Sequence, residues 1–315
     1  MSDTQDTRGT PTDPADPPDP TAHAASGPQE PAGPGTVSPL ATTMPQVPFG
    51  PVTVSRLIVG ANPINAGSHL SVFVNHQMRR YFTPGNITRL LRRCEEMGIN
   101  TWQSSGRNVD FWDQYREAGG RLQYLSLASD HPQYPYVAEE LAAAGAIGIA
   151  HHGEVTDTMF KEGRLEQARE FCKRVRDTGA QVGVSTHMPA VIAEIEEQGW
   201  DVDFYMACVY ERHRSREELR ELLGHVPIPV REVYLEDDPP RMYEAMRQTS
   251  KPCLAFKILA AGRLCGTPEQ VEAAFRATFE GIKPKDAVIV GMYPEYSDQV
   301  AEDVALTIRY GSPGQ

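Results

Sequence analysis

The sequence lacks the features of membrane-spanning and nucleic-acid-binding proteins. None of its apolar runs approaches the roughly 18 residues that a membrane-spanning helix needs. Basic residues are outnumbered, because 30 Lys and Arg face 42 Asp and Glu and leave a formal net charge of −12. A surface that binds nucleic-acid phosphates needs a basic excess or a basic stripe. We therefore expect no membrane partner and no nucleic-acid partner.

A targeting signal and paired cysteines are also missing. Residues 1–5 are polar and acidic, and no apolar core of a signal peptide follows them. The five cysteines are scattered, and none belongs to a Cys-x-x-Cys pair. We expect a cytoplasmic location and free thiols, rather than a disulfide framework or a zinc cage. The cysteines are Cys94, Cys172, Cys208, Cys253 and Cys265.

Three motifs of common enzyme classes are absent as well. The first predicted strand is followed by Gly60-Ala61-Asn62-Pro63, which is not the Gly-x-Gly-x-x-Gly of a dinucleotide-binding sheet. There is no Gly-Lys-Ser/Thr phosphate loop and no Gly-x-Ser-x-Gly nucleophile elbow. These absences argue against a doubly wound open sheet, which is the structural alternative to the fold that we predict below.

The first 48 residues differ in composition from the rest of the chain. They hold 11 of the 26 prolines and six acidic residues against one arginine, with almost no large apolar side chains. Such a segment cannot bury enough apolar surface to offset the entropy lost on ordering. We predict a disordered, Pro-rich acidic tail over residues 1–48 and one folded domain over residues 49–315.

Short β-rich runs alternate with amphipathic helices from Val54 onward. In the clearest helix, over Pro84–Met97, Thr83 is placed to cap the first turn and the apolar residues recur on one face. Eight strand-like runs, each followed by a helical segment, are the number in a (βα)8 TIM barrel. The eight predicted strands are Val54–Gly60, Gly98–Ser104, Gln123–Ala128, Ala146–His151, Gln181–Thr186, Asp203–Tyr210, Pro252–Ile258 and Asp286–Gly291.

Polar side chains collect just beyond the predicted strand ends, where a barrel builds its active site. Six of the nine histidines lie in these positions, which is the main sequence indication of an enzyme. The first strand is followed by a polar, turn-rich loop. We predict six substrate-binding residues at the barrel mouth, namely Asn62, Asn65, His69, Gln103, His187 and Tyr210.

Several of these segments resemble the strands of the aldo-keto reductases. Gly98-Ile99-Asn100-Thr101-Trp102-Gln103 resembles their Gly-Ile-Asn-x-x-Asp, and Gly183-Val184-Ser185-Thr186 resembles their Gly-Val-Ser-Asn. The segments Val54–Gly60, Asp201–Asp203 and Leu254–Leu259 follow in the family's order. The resemblance covers residues 52–310 and implies a (βα)8 barrel. It also implies reduction of carbonyls with NADPH by a tetrad of Asp, Tyr, Lys and His.

The catalytic tetrad of that family is mostly missing here. Gln103 stands at the Asp position, Asn108 lies near the Tyr position, and the third strand ends at Asp130 without a lysine. Only His151 matches. Met292-Tyr293-Pro294-Glu295-Tyr296 replaces the basic residues that hold the cofactor's 2′-phosphate, and an acidic loop repels a phosphate. We therefore predict a divergent relative with no assigned cofactor-binding residue, for which NADPH is doubtful.

Lys257 and His151 are the predicted catalytic residues. Lys257 interrupts an apolar strand, and burial there lowers a lysine's pKa and frees it to act as a base or a Schiff-base nucleophile. Neighbouring strand residues point to opposite faces, so only one of His151 and His152 can face the mouth. The resemblance selects His151.

A divalent metal is an open alternative for the same histidines. The candidate ligands come from different strand ends, as in barrel metal sites, and nitrogen and oxygen donors suit zinc, iron or manganese. The other interpretation is that these histidines recognise a hydroxylated substrate by hydrogen bonds. The candidate ligands are His69, His151, His187 and one of Asp130 or Glu154.

The function that these features favour is acid–base chemistry, of isomerase or lyase type, on a small polar carbonyl or hydroxylated metabolite. Titratable histidines, a buried lysine and substrate-fixing amides support it. Two alternatives remain, an NADPH-dependent reductase and a catalytically inactive binding protein. The sequence leaves the oligomeric state open.

Overall fold

The structure, a computed structural model, describes residues 43–132, residue 134 and residues 136–312. Most of the predicted tail lies outside these residues. The described part begins with a short antiparallel hairpin and continues as alternating strands and helices. The strands are β1 Gln46–Phe49, β2 Val52–Ser55, β3 Leu57–Gly60, β4 Thr101–Ser105, β5 Gln123–Ala128, β6 Ala146–His151, β7 Gln181–Thr186, β8 Phe204–Cys208, β9 Cys253–Phe256 and β10 Ala287–Gly291.

Eleven α-helices and two short 3₁₀ turns, Gly106–Asn108 and Ala260–Gly262, complete the described part of the chain. No helix among these residues combines the length and apolar character needed to cross a bilayer. The helices are α1 Val72–Tyr81, α2 Pro84–Glu96, α3 Val109–Glu117, α4 Ala138–Ala143, α5 Gly153–Lys161, α6 Glu166–Asp177, α7 Pro189–Glu197, α8 Arg216–Leu223, α9 Asp238–Gln248, α10 Pro268–Gly281 and α11 Gln299–Gly311.

Strands β3 to β10 form a closed parallel barrel. Neighbours pair in chain order, and β10 closes the ring by pairing with β3, with Val288 opposite Leu57 and Val290 opposite Val59. The predicted (βα)8 barrel is therefore confirmed. An open sheet has two unpaired edges, so the closing pair excludes the doubly wound alternative.

The first predicted strand, Val54–Gly60, is divided in the structure. Residues up to Ser55 belong to the hairpin, and the barrel strand begins at Leu57. Between them the buried side chain of Arg56 donates to the carbonyl oxygens of Asp286 and Gly311. These bonds to two distant segments turn the chain from the hairpin into the barrel.

The hairpin covers the N-terminal end of the barrel. Phe49 packs its ring 4.8 Å from that of Phe204, inside the barrel at the start of β8. Asn100 donates to Gln46 and Thr53 just before β4. Apolar side chains therefore fill this end, and the C-terminal ends of the strands form the opposite mouth. The hairpin begins at Gln46, inside the segment predicted as the tail.

Helix α2 shows how closely local sequence and structure agree. The Thr83 hydroxyl accepts from the backbone N–H of Asn86 at 3.3 Å, and Pro84 occupies the first turn as predicted. The predicted apolar stripe is buried through Leu90, Leu91 and Cys94. All five cysteines are free thiols, and Cys265 alone among them is exposed.

Candidate active site

Lys257 lies at the mouth of the barrel, directly after β9. Its backbone has φ +60°, in the left-handed region that non-glycine residues rarely adopt. Its Nζ lies 3.0 Å from Nε2 of His69, which follows β3 and has φ +56°. Two strained residues from distant loops thus meet through their side chains. Such strain persists only where the surrounding structure enforces it, and it clusters at functional sites.

A carboxylate holds the far side of the His69 ring. His69 Nδ1 donates to Oε1 of Glu232 at 3.1 Å, and Arg212 and Tyr234 also donate to this carboxylate. Burial opposes ionisation of Glu232, but the bond from His69 and the charge of Arg212 hold its pKa well below its usual range. Burial lowers the pKa of His69 against the opposing effect of Glu232. The lowered pKa favours the neutral imidazole, in which Nε2 is the proton acceptor that faces Lys257 Nζ.

The Lys257 amine is easier to deprotonate than an ordinary lysine. Burial, with a smaller contribution from the charge of Arg212, lowers its pKa to about 8, although Cys208 and Glu232 act in the opposite direction. A lysine with a pKa near 8 holds a useful fraction of free amine at neutral to mildly alkaline pH. Lys257 can therefore act as a base or as a nucleophile.

A cavity of about 290 Å³ opens beside this lysine. It lies between β3, β9 and β10, and its wall is mainly apolar. Asn62, His69, Gln103 and Lys257, all predicted at the mouth, line it together. Asn62 Nδ2 lies 3.4 Å from Nε2 of His69, and Gln103 Nε2 donates to the carbonyl oxygen of Ser104 at 2.7 Å. A mainly apolar cavity with a few convergent polar groups is typical of a small-molecule site.

The orientation predicted for His151 is reversed. Its Nδ1 lies 2.7 Å from the Thr156 hydroxyl, and its ring packs 5.2 Å from Phe171 of α6, in the layer between barrel and helices. Burial lowers its pKa to about 3. Ala150 faces the barrel interior, so strand alternation turns His151 outward and His152 inward. His151 therefore does not reach the mouth.

Three other predicted residues also lie outside the cavity. Asn65 accepts from Asn108 at 3.1 Å, and Asn108 in turn donates to Ser104. Tyr210 packs against Tyr234 in the apolar core. Asp130 is exposed and pairs with Arg174 on α6. Their surroundings are those of structural residues.

His187, the remaining predicted site residue, belongs to a second cluster. Its Nδ1 lies 2.7 Å from Oδ2 of Asp157, and its backbone N–H also donates to this carboxylate. Thr186 donates to Oδ1 of Asp157. His213 Nε2 lies 3.9 Å from Asp157 Oδ2, and its ring stands edge-on to His187. Burial raises the pKa of Asp157 to about 6 and lowers that of His187 well below its usual range.

The metal-ligand set predicted from sequence is not assembled, because His151 faces the helices and Asp130 lies on the surface. In the described ranges, one group of three potential ligands converges, and it is formed by Asp157, His187 and His213. Glu154 remains at the mouth, 3.2 Å from the Tyr134 hydroxyl and 3.7 Å from Arg212. Sequence reasoning missed Asp157, Arg212 and Glu232.

Replacing Glu232 by Gln is expected to lower the pKa of Lys257 below about 8. The Glu232 charge raises the pKa of Lys257, and its loss also leaves the Arg212 charge unbalanced, which lowers the pKa further. The pH dependence of amine labelling at Lys257, followed by peptide mass spectrometry, measures the shift. An unchanged or higher midpoint in Glu232→Gln would contradict the coupling of these groups.

Comparisons with known proteins show a likeness of fold only. No protein-family model and no curated protein matches the sequence. Solved structures that share the architecture include a truncated 3-deoxy-D-arabino-heptulosonate 7-phosphate synthase from Thermotoga maritima. It has 11% identity and a TM-score of 0.48, with 86% of this chain and 91% of that chain covered. Another is the glycerol dehydrogenase AKR11B4 from Gluconobacter oxydans, with 12% identity, a TM-score of 0.49 and coverage of 87% and 98%. At these values the likeness assigns no activity to the chain.

Proposed function

We propose that this protein is a barrel enzyme that moves protons on a small polar carbonyl or hydroxylated metabolite, as an isomerase or a lyase does. One observation carries the proposal. The Lys257 amine lies 3.0 Å from the neutral His69 imidazole, beside a cavity at the C-terminal mouth of the barrel. A lysine with a lowered pKa, placed next to a proton acceptor, is suited to general acid–base chemistry.

Lys257, His69 and Glu232 have different roles in the proposed reaction. The Lys257 ammonium passes a proton to Nε2 of His69, and Glu232 stabilises the resulting imidazolium through its contact with Nδ1. The free amine then takes a proton from the carbon next to the substrate carbonyl. In the reverse transfer the Lys257 ammonium returns a proton to the substrate. This assignment moves the second acid–base group from His151 to His69.

The cavity fits a small substrate. Its volume of about 290 Å³ lies just below the roughly 300–1,000 Å³ typical of ligand sites, which favours a small ligand. The carboxamides of Asn62 and Gln103 line the same wall as Lys257, where they can hold a carbonyl or hydroxyl oxygen. The apolar remainder of the wall strengthens these polar contacts by excluding water.

The side chains at the aldo-keto reductase positions support proton transfer over hydride transfer. Gln103 lines the cavity as an amide, which cannot exchange protons at neutral pH. Asn108 is occupied by its bonds to Asn65 and Ser104. His151, the residue that matches that family's tetrad, faces the helices. Carbonyl reduction with NADPH is therefore the alternative against which the experiment is designed.

Solvent-deuterium exchange tests the proposal without a known pathway. The protein is incubated in D₂O at pH 8 with a panel of small hydroxy-aldehydes, hydroxy-ketones and keto acids, and deuterium is measured by mass spectrometry. We expect exchange at the carbon next to the carbonyl in at least one compound. NADPH oxidation with the same panel, without exchange, would establish the reductase alternative. If neither exchange nor NADPH oxidation occurs, the result favours an inactive binding protein.

A further inference from the structure

Asp157, His187 and His213 bring three metal-binding atoms together on the β6 to β8 side of the mouth. Asp157 comes from α5, His187 directly follows β7, and His213 lies in the segment after β8. The three donor atoms lie within 4.8 Å of one another, and Asp157 and His187 are buried. Two imidazole nitrogens and a carboxylate oxygen form a donor set that suits zinc, iron or cobalt.

His213 supplies an independent indication of a ligand. Its Nε2 is buried and has no hydrogen-bond partner in the described part of the chain. A buried polar atom without a partner costs free energy, and such atoms are uncommon in folded proteins. This nitrogen lies 3.9 Å from Asp157 Oδ2, which is too far for a hydrogen bond. An ion bound between the two atoms would satisfy both.

The surrounding charge favours a cation over an anion. The carboxylates of Asp157, Glu154 and Glu232 act on His213. The opposing charges are those of Arg212 and the Lys257 ammonium, which act on His187. Three negative charges thus face two positive charges around a cluster in which Asp157 and His187 are buried. A divalent ion at Asp157 reverses this imbalance.

We propose that Asp157, His187 and His213 bind a divalent transition-metal ion. Binding requires the proton between His187 Nδ1 and Asp157 Oδ2 to move to Nε2 of His187, which leaves both atoms free to face the ion. The Thr186 hydroxyl and the backbone N–H of His187 stay on Asp157 and fix its orientation. Three protein ligands leave coordination positions open for a substrate oxygen or water.

The site does not depend on the lysine chemistry proposed above. A carbonyl oxygen bound at an open position would become more polarised, and the neighbouring C–H would become more acidic. Because none of the three ligands bonds to Lys257, and because a positive charge near His187 is removed, Lys257→Met should bind the ion at least as tightly as wild type, so the two proposals can fail separately.

Metal binding is tested on full-length protein stripped with a chelator. Thermal unfolding is measured with and without Zn²⁺, Co²⁺, Mn²⁺ or anaerobic Fe²⁺, and Co²⁺ is titrated by its visible absorption. We expect at least one ion to raise the melting temperature, because a ligand that binds only the folded state stabilises it. His213→Ala should melt like wild type without metal, since its Nε2 has no partner.

The ion-dependent difference between variants decides the proposal. Losing one of three ligands should weaken Co²⁺ binding in His213→Ala by more than about 100-fold, beyond the effect typical of outer-shell partners. His225→Ala, which removes an exposed histidine outside the cluster, should bind Co²⁺ like wild type. The proposal is overturned if none of the four ions shifts the melting temperature of wild type, or if His213→Ala binds Co²⁺ as tightly as His225→Ala.

Discussion

Lys257→Met is expected to slow proton exchange on the substrate by about 10²–10⁴-fold, the range that one positioned acid–base group contributes. Methionine keeps the length and the apolar stem of lysine but cannot accept a proton. Because burial of the ammonium already disfavours its charged form, removing the charge should leave the melting temperature unchanged or slightly raised. Exchange rates and thermal unfolding of the same preparation measure both effects.

The matched control for this variant is Lys251→Met. Lys251 lies just before β9, at the opposite end of the strand that delivers Lys257, and its Nζ donates to Glu196 at 2.7 Å. The control removes a lysine from the closed end of the barrel and should keep the full exchange rate. Equal rates in wild type and Lys257→Met would show that the chemistry lies elsewhere on the barrel.

Trp102→Ala is expected to lower the free energy of unfolding by about 3–5 kcal/mol. Trp102 is fully buried, and its ring lies 6.2 Å from Trp112, 5.9 Å from Tyr124 and 6.1 Å from Phe111. These aromatic rings pack α3 against the barrel. The cavity left by an indole is too large for these rings to fill by relaxation. Denaturant unfolding at constant pH measures the loss.

Two variants separate ring packing from general effects of substitution. Trp102→Phe should recover most of the stability, because the indole N–H is buried without a partner in the described ranges and its removal loses no bond. Phe73→Ala removes a ring that is 76% exposed and should unfold like wild type. A Trp102→Ala protein as stable as Phe73→Ala would contradict the proposed role of the cluster.

The barrel was predictable because its signals are local and repeated. Each strand is short and apolar, and helices such as α2 carry their own caps and stripes. The division of the first strand was not predictable, because the bonds that turn the chain at Arg56 are made to Asp286 and Gly311, more than 200 residues away. Distances of this kind leave no pattern in a single sequence.

The site residues that could be predicted from the sequence are those that follow the ends of the barrel strands. Lys257, His69, Asn62 and Gln103 meet at one cavity because they follow strands that converge at the mouth. The choice of His151 over His152 relied on resemblance. The structure shows that Ala150 faces inward, which places His152 on the inner face, but a single sequence gives the alternation and not which residue faces inward.

Two carboxylates that complete the clusters lie where sequence patterns say little. Glu232 lies in the irregular segment between α8 and α9. Asp157 lies inside α5, where the sequence does not distinguish it from the acidic residues on the exposed faces of other helices. Their importance comes from the side chains that they contact, His69 for Glu232 and His187 for Asp157. Only the folded chain shows these contacts.

A measurement of the pKa of Lys257 shows whether this lysine is the reactive group. Labelling with an amine-selective reagent across pH 6–11, read at the Lys257 peptide by mass spectrometry, requires no knowledge of the substrate. We expect a midpoint of about 8, with reactivity rising as pH increases because the free amine reacts. A midpoint near the ordinary 10.5 would show a solvated ammonium and contradict the assignment of Lys257 as the reactive group.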